Sequence, residues 1–162
     1  MAPRPASPVP GAPSVSIVRA TRDHADLARQ ALTELPERPV DESALREFLD
    51  DERRYLLLAV ENGLAVGSLY GYALRQPYRV EPQFLLYALD VREGFRRRGI
   101  GRALVERFGA EARGAGAYEM WVLTSASNEA GMRLYERCGM RRENPDDVMW
   151  VLSLEPTRGP MR

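Results

Sequence analysis

Phe84–Arg102, FLLYALDVREGFRRRGIGR, carries an apolar strand, a short polar turn, and an arginine- and glycine-rich loop opening into a helix. A strand feeding a glycine loop at a helix N-terminus makes an anion site. Backbone N–H groups without helical acceptors meet the positive end of the helix dipole there. Gly99 and Gly101 lack side chains, so a phosphate can come close to the backbone. The expected ligand carries a pyrophosphate.

Outward from this stretch the pattern stays legible. Phe84–Val91 predicts a strand, and Ile100–Arg113 a helix with Ile100, Leu104 and Phe108 on one face, closed by Gly114 and Gly116. Tyr118–Thr124 predicts the next strand, so the three together form a parallel β-α-β crossover. Upstream, Ser14–Arg19 alternates as a first strand. A helix capped by Thr21 or Asp23 runs to about Leu35, with Leu27, Ala31 and Leu35 on one face, and Pro36 and Pro39 break it. Asp41–Asp51 predicts a second helix, capped by Asp41 or Ser43. The apolar runs Tyr55–Val60 and Leu64–Leu74 flank Asn62-Gly63, a hairpin signal. Arg75–Pro82 reads as a polar connection. Downstream, Asn128–Arg137 predicts a helix ended by Gly139, and Asp147–Leu154 a last strand pairing near Met140–Glu143. The sum is an α/β fold, a mixed sheet with helices on both faces. Residues 1–13, with five prolines, predict a disordered tail; 14–155 form one domain and 156–162 a C-terminal tail.

Composition narrows the function. The chain has 162 residues, 44% apolar and 28% charged, enough for one domain with a real core. A formal net charge of zero argues against nucleic acid and anionic membrane as partners. No apolar run approaches the roughly 20 residues of a membrane helix, and no export signal is evident. One cysteine, Cys138, precludes an internal disulfide and fits a reducing compartment; the expectation is cytoplasmic. Every basic residue is arginine, which excludes a lysine nucleophile or Schiff base. No His/Cys/Asp/Glu cluster has metal-ligand spacing, so no metal is expected. His24 reads as a surface residue, Cys138 as core, and Trp121 and Trp150 as core or interface aromatics.

Arg96-Arg97-Arg98-Gly99-Ile100-Gly101 is an R-x-x-G-x-G loop, neither a Walker loop nor a dinucleotide fingerprint. Asn128 and Tyr135, two helical turns apart, share a helix face that begins beyond the same end of the sheet. Ligands of open α/β sheets bind beyond the carboxyl ends of strands, so the two motifs converge.

Together these residues resemble the GNAT superfamily of N-acetyltransferases. Val91 to Leu104 fits the family's strand-loop-helix motif, with Glu93 where proline is common. Asn128, Gly131, Leu134, Tyr135 and Gly139 match its N-x-x-A-x-x-L-Y-x-x-x-G helix, Gly131 standing for alanine. Gly116-Ala117-Tyr118 with Tyr87 looks most like small aminoglycoside 3-N-acetyltransferases and their uncharacterised relatives. The resemblance implies a GNAT fold with a splayed strand pair, acetyl-CoA as co-substrate, a small-molecule amine as acceptor, and a possible homodimer. It implies that Arg96, Arg97, Arg98, Gly99, Ile100, Gly101 and Arg102 cradle the pyrophosphate. Leu89 and Val91 would pair with pantetheine, with an N–H near Val91 stabilising the oxyanion. Asn128 would join the cofactor site, and Tyr135 would donate to the leaving thiolate. Relatives place an acid at the position of Ala88. Asp90, two residues on, is the nearest replacement as base, and Glu81 a second candidate. The segments 21–51 and 75–82 are where the family builds its acceptor pocket. A protein or peptide N-acetyltransferase and a non-catalytic acyl-CoA-binding domain are the alternatives.

Overall fold

The computed structural model describes residues 14–33, 39–144, 146, 149 and 150. Five strands lie in one sheet in chain order: β1 (Ser16–Arg19), β2 (Arg54–Glu61), β3 (Leu64–Gln76), β4 (Arg79–Val91) and β5 (Glu119–Val122). The first four pair antiparallel, and β5 joins β4 in parallel after the helix α3 (Ile100–Gly114). Two helices, α1 (Ala25–Thr33) and α2 (Glu42–Asp50), precede β2, and α4 (Glu129–Arg137) follows β5.

The continuous apolar run of β2 reflects burial on both faces. Tyr55, Leu57 and Ala59 join Leu69, Phe84, Leu86, Leu104, Val105 and Phe108 under α3. Leu56 and Leu58 pack with Ala28 and Leu45 beneath α1 and α2. The α3 side is centred on three rings: Phe84 lies 4.9 Å from Tyr55 and 5.4 Å from Phe108, centroid to centroid. Asn62 and Gly63 both take left-handed φ, 51° and 76°, as the tight β2–β3 hairpin requires.

Several expected boundaries move. Arg75–Pro82 is not a loop: β3 runs to Gln76 and β4 starts at Arg79, turning through Pro77-Tyr78. A register irregularity between Leu74 and Gln76 absorbs Pro82, whose carbonyl accepts the Tyr118 N–H. The strand expected at Tyr118–Thr124 shortens to Glu119–Val122. Before α1, a single 3-10 turn (Arg22–His24) is closed by Thr21 and His24; Thr21 Oγ1 lies 3.0 Å from His24 Nδ1, so His24 is a capping residue. Asp41 caps α2, accepting from Ala44 N–H and from Ser43 Oγ. Residues 140–144 form no strand, and Met149 and Trp150 lie outside regular structure. Trp150 is 90% exposed, so of the two placements expected for it, core or interface, the core one does not hold. The rest of the expected last strand, the tails and residues 34–38 lie outside the described residues.

The loop after β4 is tied to the β2–β3 hairpin. Arg98 forks onto Glu61, Nη1 to Oε2 at 3.3 Å, and that carboxylate is nearly buried. Removing the cation leaves a buried, desolvated carboxylate. Arg98→Ala is expected to cost about 2 kcal/mol, reduced from a fully buried pair because water reaches the arginine. Thermal melting should show Tm lower by about 4–8 °C.

Candidate functional site

Two irregularities of β4 make the site. Its pairing with β5 runs from Gln83↔Glu119 to Leu86↔Val122 and stops, while β4 continues to Val91 beside β3. The sheet is therefore splayed beyond Leu86. The register with β3 also slips there: Gly71 faces Leu86 and Tyr70 faces Ala88, leaving Tyr87 as the extra residue of a β-bulge. Beyond the bulge, Leu89 and Val91 pack toward α3. Asp90 lies opposite Ser68 on the other face and borders a small cavity lined by Ala31, Ser68 and Arg92.

Arg92 N–H donates to Val66 O at 3.0 Å, so by antiparallel alternation Leu89 and Val91 turn their backbone groups away from β3 into the splay. Those of Val91 are engaged. Its N–H donates to Asp90 Oδ1 at 2.9 Å, and its carbonyl accepts from Arg96 Nε at 2.8 Å. Leu89 lies beyond the last β5 partner, so its N–H and carbonyl face the gap.

The loop gathers backbone donors ahead of α3. Arg97 and Gly99 both take left-handed φ, 59° and 81°, curling the backbone before the helix. The first helical bond of α3 is Ala103 N–H to Gly99 O, so the N–H groups of Gly99, Ile100, Gly101 and Arg102 have no helical acceptor. A pyrophosphate fits this set of donors. The arginine side chains are mostly committed elsewhere: Arg96 to Asp90 (3.7 Å), Arg98 to Glu61, and Arg102 to Glu106 (2.7 Å). Arg97 has no carboxylate partner among the described residues. The donors this loop leaves open are therefore backbone N–H groups more than guanidinium groups.

Gly101 has a second reason to be glycine. A Cβ there would lie 3.3 Å from Leu134 Cδ2 and 3.7 Å from Leu89 Cδ2, so α3, α4 and the end of β4 meet at this point. Tyr135, next to Leu134 on α4 and half-buried, packs against the core cluster under α3. Burial pushes its hydroxyl above the usual phenol range, with a smaller contribution from Cys138, so it holds its proton at neutral pH. Cys138 is itself pushed up by burial and packs against the core.

Asn128 caps α4: Oδ1 accepts from Gly131 N–H at 3.0 Å, and Nδ2 donates to Thr124 Oγ1 at 3.1 Å. A Cβ on Gly131 would come within 2.5 Å of Asn128 Nδ2, so glycine here is matched to the cap rather than neutral toward alanine. Glu81 stands six residues before Tyr87 on β4, about 20 Å along the strand, and does not join the group. The feature that sequence reasoning passed over is a set of rings, Phe48, Tyr70, Tyr72 and Tyr87, on the α2 face beside the bulge. Its trace is the alternation of Tyr70 and Tyr72. Among the described residues no group of three His, Cys, Asp or Glu is placed to hold a metal ion. None of the helices among the described residues is long and apolar enough to cross a membrane.

Residues 22–140 match the model of the acetyltransferase (GNAT) family. A search of curated proteins finds no match. Among solved structures, an aminoglycoside acetyltransferase from an uncultured soil metagenomic sample superposes with TM-score 0.74 at 25% identity, covering 86% of this chain and 99% of that one. The aminoglycoside N-acetyltransferase AAC(6')-Iy, in complex with CoA, gives 0.75 at 19% identity over 90% and 99%. A ribosomal-protein-alanine N-acetyltransferase from Brucella melitensis biovar Abortus 2308 gives 0.69 at 22% over 86% and 99%. The last two likenesses concern the fold alone. The aminoglycoside neighbour named for a position carries 6', where the sequence resemblance pointed to 3-N-acetyltransferases. With its splayed sheet, its anion loop and a family match over most of its length, this chain belongs to the GNAT acetyltransferase family, enzymes that use acetyl-CoA.

Proposed function

We propose that this protein moves the acetyl group of acetyl-CoA to a primary amine of a small molecule by direct attack in a ternary complex. The observation that carries the reading is the splay itself, an open strand edge at Leu89 leading straight into a loop of unpartnered N–H groups. Acetyl-CoA supplies an activated thioester with a pyrophosphate handle. The N–H groups from Gly99 to Arg102, with Arg97 beside them, hold the pyrophosphate. The backbone of Leu89 pairs with pantetheine, and its N–H faces the developing oxyanion, since that of Val91 is engaged by Asp90. Asn128 acts through the cap that sets the start of α4.

In the transfer the amine nitrogen forms a bond to the carbonyl carbon, and the carbon–sulfur bond breaks. One ammonium proton passes to Asp90 and on to solvent before the attack, and the second leaves the nitrogen by the same route as the tetrahedral intermediate collapses, so the products are the neutral amide and the CoA thiolate. Tyr135 donates a hydrogen bond to the departing thiolate. Its raised pKa makes it a donor that keeps its proton, so Tyr135 introduces no falling limb into the pH–rate profile below pH 10.

The test is CoA thiol release across amino acids, polyamines, aminoglycosides, arylalkylamines and short peptides. Wild type should turn over one class clearly best. Tyr135→Phe should lower kcat about 10- to 100-fold, the worth of a hydrogen bond to a charged group, with acetyl-CoA affinity unchanged. Asp90→Asn should lower kcat with acetyl-CoA affinity unchanged, since the amide cannot accept the ammonium proton. Tight acetyl-CoA binding without turnover of any amine would favour an acyl-CoA-binding domain instead, and a preference for peptides would favour a peptide N-acetyltransferase.

A further inference from the structure

Tyr87 is the extra residue of the bulge, at the point where β4 parts from β5, and 59% of it is exposed. Its ring stacks on Tyr70, with centroids 5.3 Å apart and planes at 27°, and meets the edge of Tyr72 at 5.7 Å. Phe48 of α2 closes the group from above, edge-on to Tyr70 at 5.9 Å and to Tyr72 at 5.8 Å. Four rings thus form one wall on the face that carries Ala88 and Asp90, ending at the gap. The bulge is what aims this wall.

The charges around the wall are already matched. On α2, Glu42 pairs with Arg46, Glu47 with Arg54 and Asp50 with Arg22; on β4, Asp90 pairs with Arg96. The Arg54 guanidinium also lies 5.8 Å from the Phe48 ring. A ligand with several ammonium groups would meet few unmatched carboxylates here. A flat apolar group would find the open face of Tyr87. Ring stacking adds to the gain from burial, and one ammonium over a ring adds a further attraction.

From this we infer that Phe48, Tyr70, Tyr72 and Tyr87 form the acceptor-binding wall, selecting a singly charged amine with a flat aromatic body, an arylalkylamine, over polycations. The inference rests on the proposed acetyl transfer and names the substrate class of that same site.

The experiment compares kcat/KM for phenethylamine, n-butylamine and spermidine with acetyl-CoA as donor, on wild type, Tyr87→Ala and Tyr87→Phe. Acetyl-CoA binding to each protein is measured separately by calorimetry. The expected result is a margin of at least tenfold for phenethylamine over both other amines. Tyr87→Ala should erase that margin through KM, with kcat and acetyl-CoA affinity little changed, and Tyr87→Phe should keep it. Because Tyr87 is largely exposed, both variants should fold, with melting close to wild type. Equal use of the three amines, preference for spermidine, or a margin that survives Tyr87→Ala would overturn the inference while leaving acetyl transfer intact. Absence of acetyl-CoA binding in wild type would overturn the transfer reading and this inference together.

Discussion

Gly71→Ala is expected to destabilise the protein by about 3 kcal/mol or more, lowering Tm by roughly 6–12 °C in calorimetry. A Cβ at position 71 would lie 2.3 Å from the Leu85 carbonyl oxygen and 2.5 Å from Phe108 Cζ. No rotamer relieves a clash with backbone, so β3 must part from β4 or α3 must lift. Phe108 belongs to the three-ring centre of the core, which leaves it nowhere to go. Gly67→Ala makes the comparison: its nearest contact would be 3.1 Å to Asp90 O, with the rest at 3.3 Å and beyond. That substitution should cost about 1 kcal/mol. An equal, small effect at both positions would mean that the β3–β4 register at the bulge is not as described.

Gly99→Val is expected to weaken acetyl-CoA binding by at least tenfold, with only a small change in Tm. Gly99 has φ +81°, and a β-branched side chain disfavours that conformation by about 2 kcal/mol. The position is open, with nothing within 4 Å of an added Cβ, so no packing holds the strained form. The loop therefore relaxes, and the aligned N–H groups ahead of α3 disperse. About 2 kcal/mol corresponds to roughly 30-fold in affinity. Gly94→Ala is the control, since that glycine has neither a positive φ nor a close neighbour. Unchanged acetyl-CoA affinity in Gly99→Val would separate this loop from the cofactor.

Most of the scaffold was legible because its signals are local. Asn62-Gly63 marks its hairpin by backbone conformation, and the apolar spacing of Ile100, Leu104 and Phe108 marks α3. The family motif added the splay. What was hidden depends on partners distant in the chain. Arg98 meets Glu61 37 residues away, and no local pattern announces that pair. The bulge at Tyr87 has no glycine or proline beside it on its own strand; its trace is Gly71 on the neighbouring one, where the backbones come close. Arg75–Pro82 carries a polar, proline-containing composition, yet a register irregularity lets both strands continue through it. Gly99 opens α3 as the spacing predicts, but most arginine side chains of the loop turn to carboxylates, which no local pattern announces. Asp90, chosen for its nearness to Ala88, also holds the Val91 N–H, which only the folded geometry reveals.

Hydrogen–deuterium exchange on the full chain, with and without acetyl-CoA, tests the central claim most directly. Protection should appear at Leu89, across Arg96–Arg102 and at the first turn of α4, with little change in β1 and β2. Protection confined to another part of the chain, or none at saturating acetyl-CoA, would contradict the assignment of the splayed edge and its loop as the acetyl-CoA site.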